Sequence, residues 1–270
     1  MVVSPAQAAS GVGDASVLVV DLRKPDAFGV GHVPGAVRLD FAALVRGEPP
    51  VGGLLPAVDD LVALFSALGV SPGRQVLAYD DEGNGRAGRL VWTLNAMGHR
   101  AASILDGGVA AWGEAGLALE QGPGEPPATA AFSAAPDSSV VADKAWIRQH
   151  LGDPDVVFLD TRSPAEYRGE DVRSARGGHL PGAVSFDWVR AMEAEHHRRL
   201  RPAQALLREL ADLGVTPERQ VVAYCQTHHR SSHTYVVLRW LGFDRVRGYP
   251  GAWSDWGNDP DVPVSTGSAP

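Results

Sequence analysis

The chain contains two copies of one pattern, and this repeat restricts its possible folds more than any other feature. Three stretches of the first half recur in the same order in the second half, about 140 residues later. The pairs are DLRKPDAFGVGHVPGAVRLD with DTRSPAEYRGEDVRSARGGHLPGAVSFD, GRQVLAYDDEGNGRAG with ERQVVAYCQTHHRSSH, and DGGVAAWGEAG with RGYPGAWSDWG. A repeat of this length predicts a duplicated domain rather than a solenoid of short units.

The stretch EQGPGEPPATAAFSAAPDSS separates the two copies. It is rich in Pro, Gly, Ala and Ser and has no hydrophobic period, which is typical of an extended linker at the surface. We therefore predict an N-terminal domain at 1–120, a linker at 121–139 and a C-terminal domain at 140–270.

Each copy alternates strand-like and helix-like stretches. The runs SVLVVD, DVVFLD, RQVLAYD and RQVVAYC are short and apolar, as buried parallel strands are. The stretches DDLVALFSALGV, AQALLRELADLGV, RLVWTLNAMGH and TYVVLRWLGF have the apolar spacing or apolar character of helices. This alternation predicts an α/β fold of two domains, each a parallel sheet with helices on both faces.

Composition excludes several classes of protein. The 270 residues carry a formal net charge of -8, whereas nucleic acids and anionic membranes require a basic surface. No apolar run approaches the roughly 18–20 residues of a membrane span, and the start MVVSPAQAAS lacks the features of a secretion signal. A single cysteine rules out an intramolecular disulfide and fits a reducing compartment, so we expect a cytoplasmic protein.

The only cysteine, Cys225, follows a predicted strand and precedes a predicted helix. In an open parallel sheet, ligands bind at the carboxyl ends of the strands. The equivalent position of the first copy holds Asp80. If Cys225 served only to pack the strand, an aspartate would not be expected at the equivalent position of the other copy. The contrast therefore predicts chemistry in the C-terminal domain and a scaffold role for the N-terminal domain.

The residues after Cys225 are those that activate a thiol. Gln226, Thr227, His228, His229 and Arg230 are polar and lie in the predicted turn, and Ser231 is a residue type that caps helices. Backbone amides, a helix N-terminus and an arginine all favour thiolate over thiol. We therefore predict that Cys225 is a nucleophile and that the five residues after it bind substrate and stabilise an anion.

The pattern resembles the rhodanese family of sulfurtransferases over nearly the whole chain, from about Ser16 to Pro260. The resemblance is carried by GHVPGAV and GHLPGAV, by the strand ends at Asp21 and Asp160, by AYCQTHHRSS, and by GYPGAW. In that family the C-terminal cysteine carries sulfur as a persulfide and the N-terminal domain is catalytically silent. Asp80 opposite Cys225 agrees with this.

The resemblance implies a sulfurtransferase that passes sulfane sulfur from thiosulfate, or a related donor, to cyanide or a thiol through a persulfide on Cys225. It implies no cofactor and no metal beyond this covalent intermediate. The expected partners are a small-molecule donor and a thiophilic acceptor, and in one alternative a thiol protein. We expect a monomer that binds neither nucleic acid nor membrane.

The chain departs from known family members in two places. Its loop is neither the C-G-S-G-V of mercaptopyruvate enzymes nor the lysine-containing loop of many thiosulfate enzymes, because it has His228 and His229. An arginine that binds the donor in some members matches Glu166, which leaves Arg162 and Arg168 as candidate replacements.

Three alternatives to small-molecule sulfur transfer remain at this stage. Cysteine phosphatases of the same fold use H-C-x5-R, but Tyr224 precedes the cysteine here and only four residues separate it from Arg230. Zinc takes cysteine and histidine ligands, and His228, His229 and His233 are close in sequence. The third alternative is a persulfide carrier that delivers sulfur to a protein.

Other side chains are predicted to support the site or the fold. We expect Asp160 to anchor the loop, Arg162 to support donor binding and Trp188 to line the mouth of the pocket. The histidines of the two GHxPGAV motifs are expected to organise turns, and Trp112 and Trp253 to lie in the cores.

Overall fold

The computed structural model describes all 270 residues, and the chain forms two compact units. Unit 1 comprises Met1–Leu44, Pro56–Asp137 and Met192–Leu200. Unit 2 comprises Val45–Leu55, Ser138–Ala191 and Arg201–Pro270. Each unit thus includes one short segment that comes from the other half of the sequence.

The strands, in chain order, are β1 (Val2–Val3), β2 (Val17–Asp21), β3 (Val37–Arg38), β4 (Arg46–Glu48), β5 (Val51–Leu54), β6 (Gln75–Tyr79), β7 (Ala102–Leu105), β8 (Val156–Asp160), β9 (Val184–Ser185), β10 (Met192–Glu193), β11 (Arg199–Leu200), β12 (Gln220–Tyr224) and β13 (Val246–Gly248). The α-helices are α1 (Pro5–Ala9), α2 (Pro25–Val30), α3 (Val58–Ala67), α4 (Gly85–Ala96), α5 (Gly108–Glu114), α6 (Lys144–Gln149), α7 (Pro164–Arg168), α8 (Ala203–Asp212), α9 (Arg230–Trp240) and α10 (Ala252–Trp256). Short 3₁₀ helices lie at Phe41–Leu44, Ser138–Val140 and Trp188–Ala191.

The main sheet of each unit is parallel. Unit 1 has five strands in the order β1-β7-β6-β2-β3, and unit 2 has four in the order β13-β12-β8-β9. The hairpins β10–β11 and β4–β5 are antiparallel two-stranded sheets in units 1 and 2 respectively. The predicted fold class is confirmed.

The central strand of unit 2, β12, is buried along its whole length. Its sequence QVVAY is apolar at four of five positions because strands β8 and β13 pair with it on both edges and helices cover the faces. The strands of this sheet place their carboxyl ends along one edge, and Cys225 is the first residue beyond β12 at that edge.

The cores confirm the predicted role of the paired tryptophans and histidines. Trp112 lies in the core of unit 1 and Trp253 in that of unit 2. His32 stacks on Phe28 at 3.9 Å between ring centroids, and His179 stacks on Tyr167 at 3.7 Å. Each imidazole Nδ1 also bonds the main-chain oxygen of its stacking partner, so both histidines hold a turn.

The segment 121–137 contains no helix or strand. No helix in the chain is both long and apolar enough to cross a membrane.

Candidate active site

The loop Cys225–Arg230, here called the cysteine loop, connects β12 to α9. Its first residues are fixed by helix α10. The amide of Trp253 donates to the carbonyl oxygen of Cys225 at 2.9 Å, and the amide of Ser254 donates to that of Gln226 at 2.9 Å. Because these two carbonyl groups bond to α10, they fix the backbone at the start of the cysteine loop.

The Cys225 side chain is buried, with 1% of its surface exposed. Hydrogen bonding by the backbone amides of Thr227 and Ser231 and by the hydroxyl of Ser231 lowers the pKa of this thiol. Burial alone raises the pKa of the thiol, but the charge of Arg230 and these hydrogen bonds outweigh it, so the pKa of Cys225 lies below its ordinary value. The site favours an anionic sulfur.

Ser231 belongs to this site, although it was not among the predicted site residues. Although serine is a residue type that caps helices, α9 begins at Arg230, so Ser231 lies in its first turn. Its hydroxyl lies 2.7 Å from Nδ1 of His228, and both side chains are fully buried. His228 adopts a left-handed backbone conformation with φ of 55°. The imidazole therefore orients the hydroxyl that lowers the pKa of Cys225.

Arg230 ends the cysteine loop in a bidentate ion pair. Its Nη1 donates to Glu166 Oε2 at 2.6 Å, and its Nη2 donates to Glu166 Oε1 at 2.8 Å. Glu166 is 1% exposed and lies on helix α7. Its neighbours Arg230, Ser163 and Arg173 offset the cost of burial and lower the pKa of the carboxyl to about 2.

The hairpin β4–β5 packs against the cysteine loop within unit 2. The amide of Gly52 donates to the Ser254 hydroxyl at 3.0 Å, and that hydroxyl lies 3.2 Å from the Gly52 carbonyl oxygen. Gly53 has φ of 76°, and a Cβ atom there would overlap the carbonyl group of Thr227. The close approach of the two backbones requires glycine at position 53.

The remaining predicted loop residues have defined places. Gln226 is half-buried and donates from Nε2 to the carbonyl oxygen of Arg173 at 3.2 Å and to the Ser174 hydroxyl at 3.1 Å. His229 is half-buried and precedes α9 as its N-cap residue, with no side-chain cap. Thr227 and Arg230 thus lie where they lower the pKa of Cys225, whereas Gln226 turns toward the segment after α7.

In the equivalent loop of unit 1, backbone amides bind a carboxylate. The Asp80 carboxylate accepts hydrogen bonds from the amides of Glu82, Asn84, Arg86 and Ala87 at 2.7 to 3.0 Å. The amides two and six residues after Asp80 correspond to those of Thr227 and Ser231 after Cys225. The loop is therefore a cradle of backbone amides for a negative group, which unit 1 fills with its own carboxylate.

Asp160 and Arg162 form an arrangement that both units share. Arg162 Nε and Nη2 donate to Asp160, and Nη2 also donates to the carbonyl oxygen of Gly178 at 2.6 Å. Arg23 makes the same bonds to Asp21 and Gly31 in unit 1, which lacks a thiol. The pair therefore fixes the strand end in both copies, and the Arg162 guanidinium is committed to this role rather than to a donor.

The other side chains predicted from the sequence lie at the edge of the site. Arg168, the second candidate replacement for a donor arginine, pairs with Glu170 at the surface. Trp188 is half-buried, and its ring meets the ring of His233 edge-on at 5.4 Å. Burial lowers the pKa of His233 to about 3, so this helix residue is neutral at pH 7.

No group of three or more His, Cys, Asp or Glu side chains is arranged to hold a metal ion. The contributions of Ser231, Glu166 and Gly53 to the site were not predicted from the sequence. The arginine-to-glutamate departure at position 166 was a signal for Glu166, whereas nothing in the sequence pointed to Gly53.

Comparison with known proteins identifies the same family of domain in both copies of the repeat. The family model of the rhodanese-like domain matches residues 4–115 and 143–259. A thiosulfate sulfurtransferase of Pseudomonas aeruginosa is 41% identical over 98% of this chain and 96% of its own length. The sulfur carrier protein TtuD of Thermus thermophilus is 30% identical over 89% of this chain and 87% of its own.

A solved structure of an EanB variant in complex with ergothioneine has a TM-score of 0.87 and is 23% identical, covering 98% of this chain and 70% of that one. This likeness shows the fold alone. Together with the two matched segments and the full-length relatives, the repeated units lead to one conclusion: the chain belongs to the rhodanese family and consists of two rhodanese-like domains.

Proposed function

We propose that this protein is a sulfurtransferase that moves the outer sulfur of thiosulfate to cyanide or a thiol through a persulfide on Cys225. One observation carries the proposal: the only thiol of the chain lies in an amide cradle with Arg230 beside it, and its pKa is lowered. The relative from Pseudomonas aeruginosa, which carries the name thiosulfate sulfurtransferase, supports the same reaction.

The first step is the attack of the Cys225 thiolate on the outer sulfur of thiosulfate. A new S–S bond forms to Cys225, the S–S bond of thiosulfate breaks, and sulfite leaves with the electron pair. The enzyme then holds Cys–S–S⁻, so one negative charge stays on the protein. The amides of Thr227 and Ser231 and the Ser231 hydroxyl are the groups that stabilise this charge.

In the second step, cyanide attacks the outer sulfur of the persulfide. Thiocyanate leaves and the Cys225 thiolate is regenerated, which makes this a two-step covalent mechanism without a cofactor. Desolvation in the buried site strengthens each hydrogen bond to the sulfur.

A second function is favoured by the relationship to the sulfur carrier protein TtuD. The same persulfide could serve a protein thiol as acceptor, in which case the protein delivers sulfur instead of turning over a small thiophile. A single free thiol fits the reducing conditions of the cytoplasm, where we place either reaction.

Mass spectrometry after incubation with thiosulfate tests the proposal. We expect one added sulfur atom on Cys225 and its loss on addition of cyanide, with thiocyanate as product. The Cys225→Ser variant, which keeps the size of the side chain, is the control and is expected to gain no sulfur. A wild-type protein that takes up no sulfur but hydrolyses aryl phosphates would overturn the proposal in favour of a phosphatase.

A further inference from the structure

The guanidinium of Arg230 is the positive charge closest in sequence to the nucleophile. An arginine in this position is suited to binding the oxygens of an anionic donor with both Nη atoms. In this structure both Nη atoms bond the Glu166 carboxylate instead. The Arg230 side chain remains 20% exposed, so its charge is accessible while its bidentate face is occupied.

Glu166 holds this position by several contacts. Its Oε2 also accepts a hydrogen bond from the Ser163 amide at 3.2 Å, within the capping box that starts α7. Its Oε1 lies 3.8 Å from Nε of Arg173. The pKa of about 2 keeps the carboxylate ionised throughout the neutral range. The Glu166 carboxylate on α7 therefore places a permanent negative charge beside Arg230, the first residue of α9.

This charge acts on any anion that approaches Arg230. A thiosulfate ion carries two negative charges and an aryl thiosulfonate carries one, although both present the same type of outer sulfur. The Coulomb energy of the donor with Glu166 is proportional to the charge of the donor. The charge of Glu166 therefore lowers the logarithm of the binding constant of thiosulfate about twice as much as that of the singly charged donor.

We propose that Glu166 is a specificity-determining residue, whose carboxylate occupies the bidentate face of Arg230 and weakens the binding of doubly charged sulfur donors relative to singly charged ones. The inference rests on the proposed sulfur transfer and names the residue that sets its choice of donor. Glu166 acts here on binding, because it contacts Arg230 rather than the sulfur.

The substitution Glu166→Gln removes the charge and keeps the shape. A glutamine oxygen can still accept from the Ser163 amide, and the chain itself provides the precedent, since Ser4 and Gln7 form the same capping box at α1. Glu170→Gln is the matched control. It removes one carboxylate near the end of the same helix, but that carboxylate pairs with Arg168 at the surface.

The experiment measures KM and kcat for thiosulfate and for benzenethiosulfonate, with cyanide as acceptor. In Glu166→Gln we expect the KM for thiosulfate to fall roughly tenfold and that for benzenethiosulfonate roughly threefold, at low ionic strength. In Glu170→Gln we expect both values to stay within about twofold of the wild type.

Equal changes for the two donors, unchanged KM values, or higher KM values in Glu166→Gln would each overturn the proposal. A fall in kcat alone would show that Glu166 only positions the loop, and would overturn it too. A wild type that takes up sulfur from neither donor would instead overturn the proposed function. The two failures are therefore distinguishable, because the wild-type reaction is measured first.

Discussion

Gly53 approaches Thr227 so closely that its missing side chain is a requirement of the site. A Cβ atom at position 53 would overlap the carbonyl group of Thr227, and the φ of 76° there is itself unfavourable for other residues. The Thr227 amide is one of the groups that lower the pKa of the Cys225 thiol. A hairpin from the first half of the sequence thereby limits where the catalytic amide can lie.

We expect Gly53→Ala to displace the cysteine loop and reduce sulfur transfer at least about tenfold, because small errors in position are costly for catalysis. The strained backbone should also lower the free energy of unfolding by about 1–3 kcal/mol. Gly47→Ala in the same hairpin is the control, since a Cβ atom there meets nothing closer than 3.9 Å. Steady-state rates and thermal unfolding of both variants check this, and equal activities would contradict it.

The Asp80 carboxylate should matter for stability and not for chemistry. Asp80→Ala leaves four amide donors of unit 1 without their acceptor. We expect the free energy of unfolding to fall by at least about 2 kcal/mol. Sulfur uptake by Cys225, counted per folded molecule in mass spectrometry, should remain near the wild-type level. Loss of uptake in a folded Asp80→Ala protein would refute a purely structural role for this loop.

The lowered pKa of Cys225 predicts the pH dependence of the reaction. A free thiol has a pKa of about 8.5 and loses its thiolate below that value, whereas Cys225 keeps its thiolate until the pH falls through its own lower pKa. Iodoacetamide alkylation measured against pH should give a midpoint below 8.5. Ser231→Ala and Arg230→Gln should both raise this midpoint, because each removes a group that stabilises the thiolate.

Arg168→Gln is the control for those titrations, because Arg168 is exposed and pairs with Glu170. Its midpoint should equal that of the wild type. A wild-type midpoint at or above 8.5 would mean that burial dominates and that the loop does not activate the sulfur.

The length of the cysteine loop should decide between sulfur and phosphate. Only four residues separate Cys225 from Arg230, and Arg230 is the first residue of α9. A glycine inserted between His229 and Arg230 should move the Ser231 amide and hydroxyl away from the sulfur. We expect this variant to lose sulfur transfer, measured as thiocyanate formation, and the wild type to show no hydrolysis of an aryl phosphate. Retained transfer in the lengthened loop would contradict the geometric argument.

The sequence by itself determined the duplicated α/β fold, the parallel sheets and the place of Cys225. These features depend on local patterns: apolar runs of strand length, helical spacing, and a repeat that can be aligned within one chain. The replacement of Cys225 by Asp80 in the sister copy was visible in the same alignment. The activation of the thiol followed from residue types that are neighbours in sequence.

Only the tertiary structure decided how Arg230, Glu166 and Gly53 act. Arg230 and Glu166 are 64 residues apart in sequence, and Gly53 belongs to a hairpin that packs in the unit formed mainly by the other half of the chain. Such contacts depend on how separate elements pack, which no local pattern records. The sequence predicted that Arg230 binds substrate and stabilises an anion, but folding pairs its guanidinium with the buried carboxylate of Glu166. Under the proposal above, this pairing sets the charge that an incoming donor meets.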